Sequence, residues 1–90
     1  MTYKPTDHPD YDALRAVARK LTSAMIQQRA RDSLRHAVSA EMLEGQGISP
    51  MKPSGYYYDE SSFYQTYLQH RLNGLTDDEI QQASEASNRA

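Results

Sequence analysis

"MIQQRARDS", residues 25–33, is the stretch on which the fold turns. It lies inside Tyr11–Glu44, a run with neither Gly nor Pro. That run is rich in Ala, Leu, Arg, Gln, Glu and Met, all good helix formers. One helix over all 34 residues would be about 50 Å long. The apolar pattern, however, changes face within it. Leu14, Val17, Ala18, Leu21, Ala24 and Met25 follow one helical stripe. Ile26, Ala30, Leu34, Ala37 and Val38 fall on the roughly opposite side. Two readings follow. The helix runs on, straight or gently bent, and buries different faces in different neighbours, one of them a second subunit. Or it breaks near Gln28–Ser33, with Asp32 or Ser33 capping a new helix. The lack of a strong breaker favours the first.

Upstream, Pro5 and Pro9 interrupt a polar segment, so residues 1–9 read as a flexible leader. Asp10 is placed to cap the first helix, with Asp12 in its first turn. Downstream, Gly45, Gly47 and Pro50 end the long element. "GQGISPMKPSGYYYD", residues 45–59, then reads as a loop, with a short extended piece conceivable at Tyr56–Tyr58. A loop of this length is unusual in a compact domain and points to function or disorder. A second helix is expected from Asp59–Ser62, carrying Phe63, Tyr64, Tyr67, Leu68, Arg71 and Leu72 on one face. "LNGL" ends it, with Gly74 as the left-handed residue after the helix and Leu75 as the apolar contact beyond. Thr76 and Glu79 form a capping box for a third helix, and Asp77, Asp78 and Glu79 suit its N-terminal dipole. The expected fold is all-α: a long N-terminal helix, a Gly/Pro/Tyr loop, and two shorter helices packed back on it. The domain spans 10–86, with 87–90 a frayed tail.

Leu, Ile, Val and Phe total only 13 of 90 residues, so Tyr and Met must supply much of the core. The net charge of −2 is too low to enforce disorder. A second copy or a partner could supply missing apolar area. Charge is segregated: Tyr11–His36 carries +4 and Ala37–Ala90 carries −5. The two halves can attract each other, and the basic half raises nucleic acid as a partner. No Cys is present, which removes disulfides, thiol nucleophiles and cysteine-held metals and fits a cytoplasmic setting. No apolar run is long enough to span a membrane, so no membrane role is expected.

His8, His36 and His70 lack metal-ligand spacing, so no metal or cofactor is expected. No phosphate loop or nucleophile elbow is present, and the chain reads as a non-enzyme. The aromatic run 55–70 is the most distinctive feature. Phe63, Tyr64 and Tyr67 suit a core, whereas Tyr56, Tyr57 and Tyr58 cannot all point inward, so at least one exposed ring is expected. The leading expectation is a regulator or inhibitor that binds another protein through a Tyr-rich surface: Lys52, Tyr56, Tyr57, Tyr58, His70 and Arg71. The alternative is nucleic-acid binding through Arg15, Arg19, Arg29 and Arg31; the basic residues of this helix form no single stripe, but Arg15, Arg19, Arg29 and His36 share a broad face. The third is a structural subunit of a homo-oligomer. A homodimer is expected in any case, because the first helix is apolar on two sides.

Overall fold

The computed structural model describes residues 8–89. The described residues form four α-helices and no strand: α1 Tyr11–Arg19, α2 Ser23–Gly45, α3 Ser54–Leu72 and α4 Asp77–Arg89. The leader reading for 1–7 and the tail residue Ala90 fall outside this range. Within it, His8 Nδ1 lies 3.3 Å from Asp59 and Pro9 is buried, so the end of the leader already rests on the body.

The N-terminal element is broken, and not where the change of face suggested. The joint is Lys20–Thr22, and 28–33 is uninterrupted helix. Thr22 takes an extended backbone and its Oγ1 accepts from the Met25 N–H at 3.3 Å, a cap that needs no Gly or Pro. Two tightened turns close α1, with Lys20 N donating to Val17 O and Leu21 N to Ala18 O. Asp10 caps α1 as expected, accepting from Asp12 N and Ala13 N. The longest helix is therefore α2.

The loop is also shorter than expected. It covers 46–53, and Tyr56–Tyr58 are helical, in the first turns of α3. Gly47 has φ +77°, and Ile48 N bonds back to Leu43 O at 2.9 Å, ending α2 with a left-handed residue. Across the loop the Glu44 carboxylate accepts from Ser54 N at 3.1 Å, and Ser54, through its side chain first and then this backbone bond, holds the Glu44 carboxyl below its usual range.

At the other end of α3 the expected punctuation is present. Gly74 has φ +88° and Leu75 N bonds to His70 O. Thr76 Oγ1 accepts from Glu79 N at 3.2 Å, and Glu79 Oε1 accepts from Thr76 N at 3.1 Å.

The core is small and unusual. Ala18, Ile26, Ala30, Tyr64, Tyr67 and Ile80 form it, with Leu14, Leu21, Phe63, Leu68 and Leu75 partly buried around them. Ala30, Ser33, Ala37 and Ala40 line the buried side of α2, and such small residues let α3 lie close. Ser61 Oγ donates to Ala30 O at 2.8 Å and Ser33 Oγ to Glu60 at 2.6 Å, so the polar groups of this seam are satisfied. Leu34 and Val38 were grouped with Ile26 and Ala30. They lie outside the core, at 41% and 46% exposure.

Candidate interaction site: a cleft beside the tyrosines

The six contact residues expected from sequence separate into two groups on α3. Lys52, Tyr56, Tyr57 and Tyr58 cluster at its N-terminal end. His70 and Arg71 lie about four turns away, roughly 20 Å along the helix.

Arg71 is a structural residue. Its guanidinium donates to Leu21 O at 2.7 Å and to Ala18 O at 2.9 Å, two carbonyls at the α1–α2 joint. It also meets Asp77 at 3.1 Å, and stands 5.2 Å from the Tyr67 ring. Tyr67 donates to the same Asp77 at 2.5 Å. Burial, then the bond to Asp77, pushes the Tyr67 phenol up to about 12. For Asp77 burial opposes ionisation, but the bonds from Tyr67 and Arg71 and the Arg71 charge outweigh it and hold the carboxyl below its usual range. The expected surface role of Arg71 is thus replaced by a junction of α1, α3 and α4. His70 is half-buried beside it.

The basic residues also divide. Arg15 is buried at 3% exposure, bonding Asp12 at 2.6 Å and Gln81 at 3.1 Å. Arg19 bonds Asp78 at 2.6 Å. The charge segregation in the sequence is therefore used inside the chain, tying α1 to α4. Among the described residues no ion pair involves Arg29 or Arg31, but they stand about 200° apart around α2. The four arginines of the nucleic-acid reading make no common track.

The tyrosine triplet is neither a lid nor a free loop. All three rings are half-buried, and none is fully exposed. Lys52 Nζ sits 5.3 Å over the Tyr56 ring, Tyr56 meets Tyr57 edge-on at 5.5 Å, and Tyr57 lies 5.6 Å from His36. Tyr58 turns the other way and donates to Glu41 at 2.5 Å, a bond that, ahead of burial, raises its pKa.

His36 carries the cluster into an open cleft of about 490 Å³ between α2 and α3. Its walls are Met25, Gln28, Arg29, Asp32 and His36 from α2, with Glu60 and Tyr64 from α3. Met25 is 53% exposed at one end. Burial raises the Tyr64 phenol, against the charge and hydrogen bond of Arg29. Glu60 is held by Ser33, and its charge adds to burial in raising Tyr56. The cleft thus offers rings, a thioether, two bases and two acids on a rigid seam. It is open along its length, which suits a segment of another chain more than an enclosed small molecule. Among the described residues no three His, Asp or Glu converge as a metal site would need.

His36, Glu60 and Ser33 were missed as site residues. The available signal was that His36 shares a broad helical face with Arg29; Glu60 and Ser33 join only through the α2–α3 seam. Among the described residues no helix is long and apolar enough to cross a membrane. No family model, no curated protein and no solved structure matches this chain.

Proposed function

We propose that this chain is a non-enzymatic interaction protein, a regulator or inhibitor that binds another protein along the cleft between α2 and α3. The observation that supports this is the cleft itself, where exposed Met25 lies beside Arg29, His36, Asp32 and Glu60, with the Tyr57 ring 5.6 Å from His36. Tyrosine, methionine and arginine are the residue types enriched where proteins meet, and tyrosine gives large contact area at little cost in side-chain freedom. The tyrosine surface inferred from sequence is kept, but recentred. Tyr57 reaches the cleft through His36, Tyr56 packs on Tyr57, Lys52 braces Tyr56, and Arg71 and His70 leave the site.

The test is affinity capture from the native host with the wild-type chain and with Met25→Asp and His36→Ala, each with and without nuclease. The expected result is a defined protein partner, retained after nuclease and lost with both variants. A partner lost on nuclease treatment, or retained by both variants, overturns the proposal.

A further inference from the structure

The opposite side of α2 carries a second surface that the cleft does not use. Leu34, Val38 and Met42 are spaced by four and are 41%, 46% and 63% exposed. With Arg35 and Ser39 they line a shallow apolar trough. A neighbouring groove, lined by Arg31, Leu34, Leu68 and Leu72, continues it toward α3, where Leu72 is 70% exposed. In a chain with so few large aliphatic residues, this face takes three of them out of the core and aligns them.

From this face we infer that the chain is a homodimer in which α2 packs antiparallel against α2 of a second copy, with Val38 on the two-fold axis. A two-fold axis places each residue before Val38 opposite the one equally far after it. Leu34 then meets the second copy's Met42, and Met42 its Leu34, so the apolar ridge is matched with itself.

The charges choose this direction. Arg31 and Gly45 lie seven residues either side of Val38, each within about 20° of its direction around the helix. In an antiparallel pair Arg31 faces the second copy's Gly45, the last residue of α2. The carbonyl end of α2 is negative by its dipole, and its own last turn contains no basic residue. The second copy's Arg31 supplies that cation, at both ends by symmetry. Gly45 suits this: an added Cβ would meet nothing within 4 Å and its φ is ordinary, so nothing within the monomer requires glycine. The missing side chain leaves room for the arginine. In a parallel pair Arg31 would instead meet its own copy across the axis, which like charges oppose. Arg35 of both copies shares one rim of the antiparallel pair, where solvent screens it. A standard interface needs about 800 Å² from each partner. The molecule exposes 6360 Å², so this is about an eighth of its surface.

The absence of cysteine makes the register directly testable by cross-linking. Val38→Cys should cross-link with itself under mild oxidation. Leu34→Cys and Met42→Cys should each fail alone and cross-link when mixed. Met25→Cys, exposed on the cleft side, should not cross-link. Light scattering should show a dimer for the wild type, and Arg31→Glu should weaken it about tenfold. A monomer at every concentration up to near-millimolar overturns the inference. So does self-cross-linking of Leu34→Cys, which marks a parallel pair, or equal yield from Met25→Cys, which marks random collision. An unchanged dimer constant in Arg31→Glu overturns the placement of the arginine. None of these outcomes touches the cleft, whose variants are read by partner capture.

Discussion

The two ends of α3 use the same residue type differently. Tyr64 and Tyr67, in the second half, are each 2% exposed. Tyr56, Tyr57 and Tyr58, in the first half, are half-buried. The second half lies where α1, α2 and α4 converge, so a ring there meets Ala18, Ile26, Ala30 and Ile80. The first half faces little besides α2, and its rings meet one another, His36, Lys52 and Glu41. A tyrosine becomes core only where several elements surround it. With two elements it stays half-buried, apolar on its flank and polar at its tip.

The sharpest way to break this comparison is to truncate one ring at each end. Tyr67→Ala should cost about 3–5 kcal/mol, the range for large buried aromatics. Tyr57→Ala should cost about 1 kcal/mol. Chemical denaturation measures both. Equal losses would mean the two halves are buried alike and the distinction fails. Since a small domain has roughly 5–10 kcal/mol in total, Tyr67→Ala should be close to unfolding while Tyr57→Ala stays folded.

Next in size is Arg71→Met. It keeps most of the side-chain volume but removes the donors to Leu21 O and Ala18 O and the ion-pair partner of Asp77, and should cost about 2–3 kcal/mol by the same measurement. If the loss is under about 0.5 kcal/mol, Arg71 is the exposed contact residue that sequence suggested, not a junction.

The smallest expected effect is on pH dependence, and it belongs to the second half. Asp77 has a folded pKa below its ordinary 3.8. Its contribution is complete above that ordinary value and is lost as pH falls through the lower folded one. Tyr67 has the opposite sign. Its folded pKa of about 12 exceeds 10.0, so its contribution is complete below pH 10 and is lost as pH rises toward 12. Stability measured from pH 2 to 12 should therefore fall at both ends. Tyr67→Phe should reduce the alkaline fall and, by removing one of the bonds that hold Asp77 ionised, lessen the acid one as well.

The same contrast explains what sequence could show. "LNGLTDDE" was legible because the bonds that shape its backbone join residues at most five apart, as in the Thr76–Glu79 pair. The joint at Lys20–Thr22 was not. Its only local sign is one threonine, and the group that satisfies its carbonyls is Arg71, fifty positions on. The change of face at 25–33 was real information, but the break itself falls several residues earlier, at Lys20–Thr22, and Leu34 and Val38 stay exposed. Tyr56–Tyr58 read as loop because Gly55 and three aromatics are poor helix formers, and packing against α2 overrode that preference. The cleft was half legible. Its rings and Arg29 stood out, while Glu60 and Ser33 needed the register of two antiparallel helices. The interior roles of Arg71 and Arg15 had no sequence sign, because an arginine beside an acid reads as surface until something covers it.

The fastening of α1 has a consequence for the order in which the chain is assembled. Among the described residues, every long-range side-chain hydrogen bond to α1 comes from Arg71, Asp78 or Gln81. While the protein is being synthesised, α1 leaves the ribosome first, but these partners all lie in the last quarter of the chain. The α2–α3 hairpin needs nothing beyond Leu72 and should form earlier. Nascent chains halted after Asn73 keep Arg71 but lack Asp78 and Gln81, and should protect α2 and α3 from proteolysis more fully than α1. The first helix made is thus fully fastened only by the last.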